Sequence, residues 1–197
     1  MVLGALASTL MGAFGTTLNE LNQNDPELGI QLIAGLSSNF LNQVMEGTLD
    51  ASLLTESSPF ALPQTVQWTE LYKEPMILIL PNSIKSSRSH DSQLPVIRFE
   101  RNTWTGHLVE QTIKVNKLKI QDSMELNSVA AIIELVRQGL GYSIVPKRAN
   151  IAWAEDRQLS LKELSGKTIY RKVGLLERRK HSDKMLLKSL SNNFYRE

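Results

Sequence analysis

Three short polar groups stand where chemistry could be done: Ser8-Thr9, Arg101-Asn102-Thr103 and Asn127-Ser128. Each precedes a stretch whose apolar residues recur at helical spacing. A helix start leaves backbone N–H groups without partners and carries a partial positive charge. Hydroxyl and amide side chains add neutral donors, so such a start suits a small carboxylate or inorganic oxyanion. Arg101 would add a charge-assisted bond. The same Ser, Thr and Asn residues serve equally well as plain helix caps. Arg98 and Arg101 could equally be surface ion-pair partners.

Other chemistry is excluded or unsupported. The chain has no cysteine, which removes disulfides, thiolate metal ligands and cysteine nucleophiles. His90, His107 and His181 have no metal-ligand partner at helical spacing. Gly139-Leu140-Gly141 begins a dinucleotide-like pattern but lacks the third glycine and runs from helix into strand, the reverse of the fingerprint. There is no Walker loop, no HExxH and no G-x-S-x-G elbow. Trp68, Trp104 and Trp153 are too scattered for a stacking platform. No catalytic residue, metal site or cofactor is expected. A net charge of +2, from 22 basic and 20 acidic side chains, predicts no strong nucleic-acid footprint. The densest basic cluster, Arg178-Arg179-Lys180, reads as a solvated helix entry. No apolar run is long enough to span a bilayer, and the apolar start has no basic leader before it, so the expected location is cytoplasmic.

The elements that must position these residues follow from periodicity. Val2–Ala7 reads as a strand, and Ser8 or Thr9 caps a helix through Leu10, Phe14 and Leu21 that Asp25-Pro26 stops. Ile30–Ala34 reads as a buried strand. Ser37 or Ser38 caps a helix through Leu41 and Met45, with Gly47 at its left-handed exit. Ala51–Leu54 is a third strand. Thr55–Gln64 is loop, Val66–Leu80 holds two strand-like pieces, and Asn82–Pro95 is a polar loop. Then the pattern returns. Val96–Phe99 is a strand, Asn102 or Thr103 caps a helix, and Lys117–Ile120 alternates like a strand. Asn127 or Ser128 caps a helix carrying Ile132, Ile133 and Val136, and Tyr142–Val145 is a strand. Ile151–Gly166 is irregular, Thr168–Leu176 is a long strand, and Ser182 caps a last helix through Phe194.

The two halves repeat at similar offsets: 94 from Val2 to Val96, 87 from Ile30 to Lys117, 92 from Gly47 to Gly139. This predicts an α/β protein of two similar Rossmann-like lobes with parallel sheets. The expected division is residues 1–76 plus 170–197 for lobe one and 77–169 for lobe two, joined by two crossover strands. Two crossings make a hinge, and a hinge between lobes makes a cleft.

Four passages, in this order, resemble the C-terminal part of LysR-type transcriptional regulators. They are Leu3-Gly4-Ala5 through Ser8-Thr9; Ile30 to Gly35 with Val44-Met45-Glu46-Gly47-Thr48-Leu49-Asp50-Ala51; Trp68 to Met76; and Ala131 to Pro146, with Leu135-Val136-Arg137-Gln138-Gly139-Leu140-Gly141 at its centre. The resemblance implies a periplasmic-binding-protein type II fold and a small-molecule effector, a carboxylate or oxyanion, in the interlobe cleft. It also implies side-by-side antiparallel homodimers, tetramers in the full-length protein. DNA would be bound only through a separate N-terminal winged helix-turn-helix, absent from this chain, so the chain reads as an excised regulatory fragment with no membrane partner. Carried over, the effector contacts are Ser8, Thr9, Arg101, Asn102, Thr103, Asn127 and Ser128. A solute-binding receptor for transport shares the architecture and is the alternative.

Overall fold

The computed structural model describes residues 1–10, 13–24, 26–56, 61–83, 94–147, 155–181 and 189. They form two compact α/β units, residues 1–73 with 172–197 and residues 74–171, so the chain crosses between units twice.

The first unit holds β1 (Val2–Leu6), α1 (Ala13–Asn24), β2 (Gln31–Gly35), α2 (Ser37–Glu46) and β3 (Ala51–Thr55). β1 lies between β2 and β3, parallel to both, with Leu3 level with Leu32 and Ala51. The long strand β4 (Val66–Pro81) runs from this unit into the second, and β9 (Tyr170–Arg178) returns from it. β9 pairs antiparallel with β3. Leu3, Ala5 and Leu53 bury against Phe14 and Leu21 of α1. On the other face Phe40 of α2 needs close approach to the sheet, which Gly35 permits: a Cβ there would lie 2.9 Å from the Phe40 ring. Gly47 ends α2 at φ +84°, the left-handed exit that glycine takes without steric cost.

The second unit adds β5 (Val96–Phe99), α3 (Trp104–Val115), β6 (Asp122–Leu126), α4 (Val129–Arg137), β7 (Ser143–Pro146) and β8 (Leu159–Lys162). β5 and β6 are parallel, and Val96 bridges in parallel to Tyr142. The apolar run Ile77–Leu80 joins Val96, Ile97, Val109, Ile132, Ile133, Val136 and Val145 in one core. Its continuous burial is why that segment lacks alternation.

Several sequence readings need correction. The sheets are not purely parallel, since β4 pairs antiparallel with both β7 and β8. Val66–Leu80 is one strand, not two pieces. β8 lies inside the stretch read as irregular. β2 is not buried: it is an edge strand, with Leu32 38% and Ile33 36% exposed. The second strand of the second half is Asp122–Leu126 rather than Lys117–Ile120. Lys117 and Leu118 close α3 instead. Lys117 N–H donates to Lys114 O and Leu118 N–H to Ile113 O, with Lys117 left-handed at φ +51°. Neither Ser37 nor Ser38 caps α2; its N-cap is Leu36, with no side-chain bond. The 3-10 turn Ala7–Thr9 stands where a capped helix start was expected, and α1 is described from Ala13. Arg178 ends β9, Arg179–His181 form a 3-10 turn, and Arg179 and Lys180 are exposed; the helix that this cluster was expected to enter falls largely outside the described residues. Arg178 Nη1 donates to Val44 O (2.7 Å) and Leu49 O (2.9 Å), closing the end of α2. Of the expected helix from Ser182 only Ser189 is described, and most of the Asn82–Pro95 loop, with His90, lies outside the described residues.

Candidate functional site

In the second unit two helix starts lie side by side, because each follows the C-terminal end of one of two adjacent parallel strands. Glu100 N–H donates to Leu126 O across that edge at 2.9 Å. Ligands of open α/β sheets sit at such carboxyl edges. α3 is capped by Thr103, whose Oγ1 accepts from Gly106 N–H at 3.0 Å and donates to Glu100 O at 2.6 Å. Both functions of that hydroxyl are taken within the turn, and Thr103 is buried. Gly106 lets the turn close, since any Cβ there would overlap the Glu100 carbonyl. α4 is capped by Ser128, whose Oγ accepts from Ala131 N–H at 3.3 Å. Ser128 is half-buried, and Asn102 and Asn127 are exposed. Their side chains can therefore reach a ligand.

Arg101 is held by carboxylates. Its backbone N–H donates to Glu125 Oε1 at 2.9 Å, and its Nε lies 3.6 Å from Glu125 Oε2 and 3.8 Å from Glu110 Oε1. Glu110 is also ion-paired with the buried Arg98. An anion at Arg101 would compete with two carboxylates already in place, so the neutral donors at the helix starts are the better-placed ligands.

The remaining predicted pair, Ser8-Thr9, belongs to the first unit, at the carboxyl end of β1. Thr9 is buried and its Oγ1 donates to Leu6 O at 2.8 Å, whereas Ser8 is half-buried. The same edge holds a group that sequence reading missed as a site candidate. Ser37 Oγ accepts from Thr55 N–H at 3.1 Å, tying the start of α2 to the end of β3. The Thr55 hydroxyl is buried with no hydrogen-bond partner among the described residues. A serine two residues past the glycine that ends β2 was the available signal. Capping statistics pointed to another use for it.

Elsewhere in the second unit, the far end of α4 carries a compact ion-pair group. Arg137 Nε donates to Asp156 Oδ2 at 2.7 Å, and the same guanidinium pairs with Glu134. The Gln158 backbone N–H, and then Arg137, hold the Asp156 carboxyl below its usual range. The Asp156 carboxylate raises Arg137 in turn. No cluster of His, Asp or Glu among the described residues is arranged to hold a metal ion, and none of their helices is long and apolar enough to cross a membrane.

Comparison with known proteins bears on this architecture directly. Residues 2–192 match the model of the LysR substrate binding domain. A "Probable RuBisCO transcriptional regulator" of Gracilaria tenuistipitata var. liui is 27% identical over 183 residues, covering 83% of this chain. This chain spans 59% of the length of that relative. Among solved structures, the reduced form of the OxyR2 regulatory domain from Vibrio vulnificus superposes with a TM-score of 0.75 at 20% identity, over 98% of this chain and 94% of that one. The effector binding domain of QuiR in complex with shikimate does so with a TM-score of 0.79 at 12% identity, over 100% and 95%. These likenesses show the two-unit fold of the periplasmic-binding-protein type, and the family match extends over nearly every residue: the chain belongs to the LysR substrate binding domain family.

Proposed function

We propose that this chain is the effector-sensing domain of a cytoplasmic, DNA-binding transcriptional regulator, and that its effector is a small carboxylate or oxyanion. The observation that carries the reading is the pair of adjacent helix starts at the carboxyl edge of β5 and β6. There Ser128, Asn127 and Asn102 remain accessible at the starts of the two helices, where the partial positive charge of a helix N-terminus favours an anion. Ser8 is the corresponding candidate at the carboxyl edge of β1 in the first unit. That the QuiR domain was solved with shikimate, a carboxylate, supports the ligand class. The match to named transcriptional regulators supports the role. Ligand binding would shift the population of conformations by no more than its differential affinity for them, and a homodimer would carry that shift to a DNA-binding segment outside this chain.

The test is a thermal-shift screen with shikimate, other small carboxylates and sulfate. A ligand at about 100 times its Kd should add roughly 2.7 kcal/mol of stability. Ser128→Ala should weaken a hit. Unchanged affinity in both Ser128→Ala and Ser8→Ala removes the hydroxyls from the site, and a screen without any stabilising anion removes the ligand class.

A further inference from the structure

Charge is segregated along this chain in a way that its net value hides. Residues 1–72 contain seven carboxylates and no lysine or arginine, whereas residues 74–171 carry 14 basic against 10 acidic side chains. Within that second unit the local carboxylates near Arg98 and Arg101 are already paired. Four of its lysines are not, and these four fall together. Lys114, Lys117, Lys119 and Lys167 are exposed and make no ion pair among the described residues.

The fold gathers these four at one place, the C-terminal end of α3. Lys114 lies in the last turn of the helix and Lys117 follows directly after its end. Lys119 lies two residues on. Lys167 comes from the segment before β9 and is tied to the same spot by Asn116, whose Nδ2 donates to Thr112 O (2.9 Å) and Lys167 O (3.2 Å). Gly166 allows that approach, since a Cβ would overlap Asn116 Oδ1. Lys117 occupies the left-handed position that closes the helix, where glycine is the residue without steric cost. Lysines at a helix C-terminus are favoured by its dipole, but the last turn accounts for one or two of them, not four from two segments.

We infer that this lysine cluster is a docking surface for the phosphate backbone of duplex DNA, contacted without regard to base sequence. The inference rests on the reading of the chain as part of a DNA-binding regulator, and it adds a second, weaker DNA contact made by the sensing domain itself. Phosphate contacts of this kind position a protein on DNA rather than specify sequence. A cluster of four is consistent with a modest net charge, because it is local.

The test uses the 197-residue chain, a fluorescent duplex of random sequence and no effector, read by anisotropy at low salt. Binding should weaken with salt at a log–log slope of about −3.6 for four phosphates. In Lys114→Gln/Lys117→Gln/Lys167→Gln the slope should fall to about −1, with affinity down roughly tenfold or more. A control variant, Lys147→Gln/Arg157→Gln/Lys180→Gln, removes the same charge elsewhere and should bind like the parent. Equal losses in the two variants would show diffuse attraction and overturn the proposal. So would a patch variant that keeps its DNA affinity but no longer binds poly-L-glutamate, which would assign the cluster to an acidic protein. All six positions are exposed, and matching melting curves check folding. The metabolite screen involves no DNA, so failure of the sensor reading and failure of this one are separately visible.

Discussion

Glu74 and Arg171, the first and last residues of the second unit, form a buried ion pair across the two strands by which the chain passes between units. Arg171 Nε donates to Glu74 Oε2 at 2.7 Å, and the residues are 1% and 3% exposed respectively. Two charges withdrawn from water are tolerated only as a pair. Removing one partner should therefore cost about 3–5 kcal/mol. Urea unfolding of Glu74→Ala would measure this. The apolar double variant Glu74→Leu/Arg171→Met should recover most of the loss, because it leaves no uncompensated charge. A Glu74→Ala protein as stable as the parent would mean that the pair contributes nothing to holding the crossing strands.

The two capping residues at the candidate site separate stability from binding. Thr103→Ala should cost about 1 kcal/mol, the usual value of an N-cap, and leave the affinity for any anion found in the thermal-shift screen unchanged, since the Thr103 hydroxyl is buried and doubly bonded within its own turn. Ser128→Ala should cost a similar amount and also weaken the ligand. Equal effects on ligand affinity would show that both residues act only by holding their helices.

How much of this arrangement is readable from sequence depends on what decides each element. Apolar period and cap chemistry agree at the helices starting at Trp104 and Val129, which narrows their caps to Asn102 or Thr103 and to Asn127 or Ser128; the side-chain bonds select Thr103 and Ser128. Lys117–Ile120 alternates like a strand while its backbone closes a helix, which hides the true start of β6 at Asp122. A lysine in the left-handed region is a choice that propensity argues against. Burial of β2 could not be read from Ile30–Ala34, since an edge strand and an inner strand can share an apolar run. The site residues themselves were named by type, but the partners that distinguish Thr103 from Ser128 and occupy Arg101, Glu110 and Glu125, are tertiary and leave no local signal.

Acid should weaken the group at the end of α4. The Asp156 carboxyl is held below its ordinary value, first by the Gln158 backbone N–H and then by Arg137. A carboxyl depressed in the folded state contributes stability that is fully present above its unfolded value and is lost as pH falls through its folded one. The loss therefore lies below about pH 4. Asp156→Asn should flatten the stability profile in that range and leave the shape above pH 5 unchanged. A variant whose acid limb matches the parent would remove Asp156 from the account.

Lys117 offers the reverse trade. A non-glycine residue in the left-handed region costs roughly 1–2 kcal/mol, and glycine there loses about 0.5–1 kcal/mol of that advantage through its freer unfolded chain. Lys117→Gly should therefore raise the unfolding free energy by somewhat under about 1 kcal/mol, with the Leu118 N–H to Ile113 O closure kept. If the lysine is held there for its charge, the same variant should lower the salt slope of DNA binding by about one. Greater stability with lower DNA affinity in one protein would show that the sequence gives up backbone ease at this position for a cation. Greater stability with unaltered DNA binding would assign Lys117 to no surface function, leaving three lysines to carry the contact.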